Sequence, residues 1–361
     1  MNLSDSQKWL MLVATAVVIA LLYRLSPILL PFVFAAVLAY LGDPVVDRLE
    51  TYRYQNYQLN RTMAVIVVFT AIILMITALL LVVIPAIELQ IGEFIDKLPA
   101  SLAWLNRSVI PVLQKYMGRG VRPLQTDQML VLIRGYWQQA SGADGSLIVS
   151  VSHSGAVILG WITNLLLIPV ISFYLLRDWD ELMVKIHDLF PRRYQATVTK
   201  LAAEADDVLA AFMRGQFYVM LAMGFVYTLG LWLIDLELAL LIGLLAGLIS
   251  FIPYMGVIVG IILASIAALL QFQDLMHLVP VLIVFGVGHS LEGMLLTPWL
   301  VGNKIGLHPV VVIFAVLAGG QLFGFLGVLL ALPVASVIMV LLRHVHDRYT
   351  DSPFYSHPPT R

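Results

Sequence analysis

A helix break is encoded in the stretch Ser250-Phe251-Ile252-Pro253-Tyr254-Met255-Gly256, which interrupts an almost continuous apolar segment, residues 234–342. Pro253 has no amide hydrogen, and its ring clashes with the carbonyl group four residues earlier, so a helix that reaches Phe251 cannot continue regularly. Gly256 then allows the chain to turn. The pattern predicts two short helices joined by a break, and the alternative is one kinked helix.

A second interruption follows in the same apolar segment, at residues 319–327 with four glycines, and an acidic residue lies between the two. Glu292 is preceded by His289 at the i, i+3 spacing of a helix, so the two side chains share a face. Broken helices in paired positions, with an ionisable group nearby, indicate the binding site of a transporter. The alternative roles are a packing kink for each break and a structural hydrogen bond for Glu292. The candidate substrate or ion pathway is Pro253, Tyr254, Gly256, His289, Glu292, Gly319, Gly320, Gln321, Gly324 and Gly327.

Composition assigns the chain to integral membrane proteins, because 60% of its 361 residues are hydrophobic and only 12% are charged. With 21 basic and 22 acidic residues the net charge is −1, so the basic excess typical of nucleic-acid binding is absent. The sequence has no cysteine, which excludes disulfides and Cys-ligated metals. It also lacks the phosphate-loop, HExxH and GxSxG motifs. We therefore expect no enzyme, no cofactor and no metal, and any transport is secondary unless a separate ATPase subunit assists.

Hydropathy predicts an all-α, polytopic integral membrane protein with about eight membrane segments, two of them broken by Gly or Pro and re-entrant. At the start, the Ser26-Pro27 step is predicted to separate two helices of a hairpin. The predicted regions are N-terminal membrane helices at 1–90, an amphipathic extramembrane region at 91–145, a membrane helix at 146–177, a cytoplasmic helical region at 178–214, a C-terminal membrane transport region at 215–342 and a cytoplasmic tail at 343–361.

Basic residues in the short loops and in the tail predict that both termini are cytoplasmic. The arms on either side of Pro253 are about 14 residues each, roughly 21 Å of helix against a hydrocarbon core of roughly 30 Å. These lengths favour a re-entrant hairpin over a segment that crosses once. Acidic residues at the ends of apolar segments are predicted to lie in solvated turns: Asp43, Asp47, Asp235 and Glu237. The gating or loop candidates are Pro298, Asn303, Lys304, His308 and Pro309.

Eight separated segments resemble the AI-2E family of bacterial membrane proteins, which is named for autoinducer-2 export and described as a family of permeases. They are Ile171-Ser172-Phe173-Tyr174-Leu175-Leu176-Arg177-Asp178, Leu189-Phe190-Pro191, Arg214-Gly215-Gln216, Phe251-Ile252-Pro253-Tyr254-Met255-Gly256, Pro298-Trp299-Leu300-Val301-Gly302, Gly306-Leu307-His308-Pro309, Gly319-Gly320-Gln321-Leu322-Phe323-Gly324-Phe325-Leu326-Gly327 and Ala331-Leu332-Pro333.

The resemblance implies a homo-oligomeric transporter, a pentamer, in the bacterial inner membrane. On this basis we expect a secondary transporter that exports a small polar solute, of the autoinducer-2 kind, coupled to an ion gradient. The first alternative is a sodium(lithium)/proton antiporter. The second is a membrane scaffold that transports nothing, for which the broken segments would be continuous packed helices. The expected partners are the solute, Na⁺ or H⁺, the lipid bilayer and further copies of the chain.

Overall fold

The computed structural model describes residues 5–51, 53–54, 57–117, 129–131, 135, 155–301, 308–352 and 355. The described residues form helices joined by short turns, with one pair of two-residue antiparallel strands. In chain order the elements are α1 (Asp5–Thr51), β1 (Arg53–Tyr54), β2 (Tyr57–Gln58), α2 (Arg61–Trp104), the π-helix π1 (Leu105–Val109), α3 (Ile110–Met117), α4 (Gly155–Asp188), α5 (Arg192–Leu233), α6 (Ala239–Ile249), α7 (Met255–Phe272), α8 (Leu278–Leu291), the π-helix π2 (Glu292–Val301) and α9 (Pro309–Thr350).

Six helical segments in the described part of the chain are long and apolar enough to cross a membrane, which confirms an all-α, multi-pass membrane protein. They are Ile28–Thr51, Arg61–Ser108, Arg192–Leu233, Met255–Phe272, Leu278–Leu300 and Pro309–Thr350. Parts of the predicted extramembrane region (91–145) and of the predicted membrane helix at 146–177 lie outside the described residues. These parts are residues 118–128, 132–134 and 136–154.

The predicted break at the Ser26-Pro27 step is wrong, because α1 continues through both residues from Asp5 to Thr51. A proline removes one backbone hydrogen bond and kinks a helix. Ending the helix in an apolar segment would instead leave several backbone groups without partners, which is more costly where no water is present. The second part of the predicted cytoplasmic helical region at 178–214 is likewise continuous with the apolar segment that follows it, and both belong to α5.

The chain forms two compact units. The first unit comprises Met1–Thr70, Thr163–Arg214 and Gly302–Arg361, and the second comprises Ala71–Ile162 and Gly215–Val301.

Within the first unit, Arg61 joins the start of α2 to α1 and α4. Its guanidinium lies 2.6 Å from Asp180 and 3.0 Å from Asp43, and it also approaches Asp47 at 3.4 Å. A second contact to α4 is the hydrogen bond that Arg61 donates to the carbonyl of Leu176, at 3.2 Å. The predicted turns at Asp43 and Asp47 are therefore wrong, because both residues lie in α1 and their carboxylates face Arg61, although the Asp47 side chain remains 57% exposed.

Within α4, two adjacent residues form a charge pair with a partly exposed carboxylate. Arg177 donates a hydrogen bond of 2.7 Å to Asp178, and this lowers the pKa of the Asp178 carboxyl. The same guanidinium lies 4.9 Å from the centre of the Tyr174 ring, within the range of a cation–π contact.

In the second unit, glycines allow the helices to pack closely. A Cβ at Gly243 would meet the backbone of Thr228, and one at Gly247 would meet the backbone of Gly224. Helix α6 therefore lies directly against α5, backbone to backbone, as small residues permit in membrane proteins. This packing holds α6 in place for the turn that follows it.

Candidate functional site

The predicted break at Pro253 is present in the second unit. Helix α6 ends at Ile249, α7 begins at Met255, and the residue before α7, Tyr254, has a left-handed backbone with φ 67°. A Cβ at Gly256 would collide with Ser250 Oγ and with the carbonyl of Ala246, so only glycine lets α7 leave the turn against α6. The chain therefore folds back on itself here.

The two ends of this hairpin are joined by one side chain. Gln271, near the end of α7, donates a hydrogen bond of 2.7 Å to the carbonyl of Asp235 and accepts one of 2.8 Å from the backbone amide of Glu237. The start of α6 and the end of α7 are thus adjacent, as a hairpin requires. The arms are unequal, however: α6 has 11 residues and α7 has 18, where the sequence predicted two equal arms.

The tip of the hairpin is fixed by a buried amide. Gln216 in α5 donates a hydrogen bond of 2.5 Å to the carbonyl of Ser250, and the Ser250 hydroxyl donates one of 2.8 Å to the carbonyl of Ala246. Both side chains are buried. The Ser250 carbonyl at this break therefore already has one hydrogen-bond donor.

Glu292 lies in the same unit, at the junction of α8 and π2. The residue is 9% exposed, and its Oε2 has no hydrogen-bond partner among the described residues. The imidazole of His289 lies near this carboxyl, with its Nδ1 3.9 Å from that oxygen. The ring of Tyr254 lies 5.9 Å from the ring of His289, centre to centre. Three predicted site residues, Tyr254, His289 and Glu292, are therefore close together.

The π-helix that follows Glu292 has a local cause. Pro298 lies inside π2, lacks an amide hydrogen, and in a regular α-helix its ring would clash with the carbonyl of Met294. Widening the turn relieves this clash, and such π segments occur often at functional sites. Pro298, predicted as a gating candidate, thus shapes the backbone around the buried carboxylate.

The second predicted break is present in the first unit, inside the long helix α9. Gly324 has φ 58° and ψ −138°, a conformation that side-chain-bearing residues rarely adopt. A Cβ at Gly319 would collide with the carbonyl of Gly327, and the reverse is also true, so the chain folds back around Gly324. Gly320 lies beside Val328, and Gln321 is exposed.

The remaining candidates divide into a helix cap and residues that are not described. His308 is the N-cap of α9, where its Nδ1 accepts a hydrogen bond of 3.3 Å from the amide of Val310, and Pro309 opens the helix. This gives His308 a structural role at the start of α9. Asn303 and Lys304 lie outside the described residues.

Two parts of this region escaped the sequence interpretation. Glu237 is not in a solvated turn as predicted, because its side chain is 11% exposed and pairs with Lys97 of α2. Tyr227 in α5 is fully buried, and its hydroxyl has no hydrogen-bond partner among the described residues. A phenol inside the mostly apolar second half of α5 was the signal available for Tyr227. The pairing of Glu237 with Lys97 left no local signal.

Comparison with known proteins finds relatives that are named as transport proteins, a permease and an antiporter. The chain is 33% identical over 177 residues to "Putative transport protein YrrI" of Bacillus subtilis (strain 168), a match that covers 49% of this chain and only 50% of YrrI. It is 28% identical over 346 residues to "Putative permease PerM" of Escherichia coli (strain K12), covering 94% of this chain and 93% of PerM. It is 24% identical over 339 residues to "Sodium-lithium/proton antiporter" of Halobacillus andaensis, covering 90% of this chain and 92% of that protein.

The sequence profile described as "AI-2E family transporter" matches residues 10–347. This range contains both breaks, Glu292, five of the six candidate membrane helices and all but the last three residues of the sixth. The chain therefore belongs to the AI-2E family of transporters.

Proposed function

We propose that this protein is a secondary transporter that exports a small polar solute, of the autoinducer-2 kind, and that Glu292 couples this export to an ion gradient. The observation that supports the proposal most directly is the burial of the Glu292 carboxyl in an apolar helical segment, with one oxygen that lacks a hydrogen-bond partner among the described residues. Ionisable groups in membrane segments are costly, and they are usually retained for ion or substrate pathways.

The hairpin tip gives this carboxylate suitable surroundings. Tyr254 and His289 are both exposed, whereas Glu292 is buried. We assign solute contact to Tyr254 and the turn at Pro253 and Gly256, and we assign proton or cation binding to Glu292, with His289 as the neighbouring proton acceptor. The fold-back around Gly324 in the first unit is a second pathway element of this proposal, together with Gly319, Gly320, Gln321 and Gly327.

The test is flux in proteoliposomes that contain the purified protein. We expect an imposed proton or sodium gradient to drive movement of a labelled autoinducer-2-like solute, and Glu292→Gln to abolish the gradient dependence. The matched control is Glu237→Gln, since Glu237 has the same side-chain exposure, 11%, but a lysine partner. Wild-type coupling in Glu292→Gln would reject the role of Glu292.

A sodium(lithium)/proton antiporter is the second candidate. It is favoured by the similarity to the Halobacillus andaensis protein that bears this name. It needs the same carboxylate but no organic solute. A pH-sensitive dye inside the proteoliposomes distinguishes the two candidate functions. Proton movement on addition of sodium or lithium alone supports the antiporter, and the absence of proton movement under those conditions excludes it.

The resemblance to the family also motivates an assembly and an orientation. We propose a homo-pentamer in the bacterial inner membrane with both termini in the cytoplasm. Native mass spectrometry of the detergent-solubilised protein should give five times the monomer mass. Green fluorescent protein fused to the C-terminus should fluoresce in cells, because it does not fold after export, and a dark fusion with normal expression would contradict the orientation.

A further inference from the structure

Tyr227 is a fully buried residue whose hydroxyl is not used by the fold. Its ring packs against Phe285 of α8, with 4.6 Å between ring centres, and a Cβ at Gly288 would meet the ring edge. The hydroxyl group has no hydrogen-bond partner among the described residues. Buried tyrosine hydroxyls normally have a partner, because leaving one unpaired in an apolar interior costs free energy. This hydroxyl therefore requires an explanation other than packing.

Glu292 presents a second unpaired oxygen on the same side of α8. Gly288, on which the Tyr227 ring lies, is four residues before Glu292, so both positions share one face of the helix. Neither the Tyr227 hydroxyl nor Glu292 Oε2 has a hydrogen-bond partner among the described residues, so no hydrogen bond joins the two. Helix α5 and the junction of α8 with π2 thus each place one unpaired oxygen in the same part of the second unit.

The titratable groups that face Glu292 come from each element packed around it. Helix α8 contributes His289, 3.9 Å away, α5 contributes Tyr227, and the turn before α7 contributes Tyr254 against the His289 ring. His289 and Tyr254 are exposed, whereas Tyr227 and Glu292 are buried. Tyr227 and Glu292 therefore form the inner part of the cluster, and His289 forms its outer part.

We propose that Tyr227 Oη and Glu292 Oε2 are two ligands of a small monovalent cation, Na⁺ or Li⁺, which binds in exchange for the proton of Glu292. Small hard cations prefer oxygen ligands, and a single carboxylate balances a single positive charge. A divalent cation would need more carboxylates than this cluster contains. One proton leaves Glu292 for each cation that enters, so charge is conserved. This inference rests on the proposed ion coupling and adds the identity of the ion and a second residue that binds it.

The experiment measures cation binding to the purified full-length protein in detergent, by isothermal titration with NaCl or LiCl against choline chloride at alkaline pH. Tyr227→Phe removes only the hydroxyl and keeps the ring that packs on Phe285. We expect it to weaken cation binding about tenfold or more, the scale for losing one interaction with a charged group. We expect Glu292→Gln to abolish binding. The matched control is Tyr218→Phe, the same change at a tyrosine of α5 that is 54% exposed, and it should bind as the wild type does.

Thermal unfolding without added cation provides a readout that separates binding from structure. Because the Tyr227 hydroxyl has no partner in the fold, Tyr227→Phe should leave the Tm unchanged or raise it. A lower Tm would show that the hydroxyl stabilises the fold and would overturn the inference.

Unchanged cation affinity in Tyr227→Phe would also overturn the inference. It would leave the proposed function intact if gradient-driven flux still depends on Glu292. A wild-type protein that binds neither Na⁺ nor Li⁺, but moves protons in a Glu292-dependent manner, would overturn the cation site alone. Absence of any flux in the wild type would instead reject the proposed function.

Discussion

The side-chain amide of Gln271 bonds to the carbonyl of Asp235, at 2.7 Å, across the open end of the α6–α7 hairpin. Because a backbone amide of Glu237 bonds back to the same side chain, the entry and exit of the hairpin are held together. A segment that crossed a membrane once would place these ends on opposite faces. The contact therefore favours a hairpin that enters and leaves on one side.

Cysteine labelling can test this arrangement without background, since the natural chain has no cysteine. Leu233 and Met276 flank the hairpin and are 67% and 72% exposed. We expect Leu233→Cys and Met276→Cys to react with a membrane-impermeant maleimide from the same side of the membrane. Labelling from opposite sides would show that the segment between them crosses once.

Gly256→Ala should destabilise the protein, because the new Cβ would meet Ser250 Oγ and the carbonyl of Ala246. Overpacking of this kind lowers the free energy of unfolding by about 1–3 kcal/mol. The matched control is Gly286→Ala in α8, where a Cβ would meet nothing within 4 Å. There the higher helix propensity of alanine should raise stability by up to about 1 kcal/mol. Denaturant unfolding in detergent measures both, and equal effects would contradict the tight turn.

Gln216→Met should leave the carbonyl of Ser250 buried and unpaired. Loss of one partner from a buried polar pair costs about 1–3 kcal/mol. The control is Gln195→Met, since the amide of Gln195 donates to the carbonyl of Phe190 at an exposed position, and surface changes usually stay within about 0.5 kcal/mol. A Gln216→Met protein as stable as Gln195→Met would mean that the carbonyl finds another donor.

Lys97→Met should destabilise the second unit by leaving the Glu237 carboxylate, which is 11% exposed, without its cation. Adding Glu237→Gln to this variant removes the unpaired charge, so the double variant should be more stable than Lys97→Met alone. A double-mutant cycle of melting temperatures measures the coupling, and strictly additive changes would show that the two side chains do not interact.

Local sequence signals predicted the interruptions well and the long-range pairings poorly. Pro253 and the glycines near Gly324 break helices through their own backbone chemistry, so both positions were predictable. Pro27 was misjudged because the apolar surroundings of α1 make ending a helix more costly than kinking it. The pairing of Lys97 with Glu237 joins residues 140 apart, and no local pattern encodes such a contact.

The environment of the buried carboxylate was likewise only half predictable. His289 and Glu292 are neighbours by helical spacing, which the sequence shows directly. Tyr227 reaches this region only because α5 packs on the Gly288 face of α8, a tertiary contact. An unpaired hydroxyl is a property of the folded surroundings, and a sequence does not reveal it.

The π-helix after Glu292 changes how the faces of this segment must be counted. Met294 and Trp299 are each 80% exposed, although a wheel of 3.6 residues per turn would place them about 140° apart. The i→i+5 hydrogen bonding of a π-helix brings positions five apart onto one side. A helical wheel drawn from the α8 sequence therefore loses its phase at Glu292. Surface design, cross-linking positions or lipid-facing assignments beyond this residue need a register of their own.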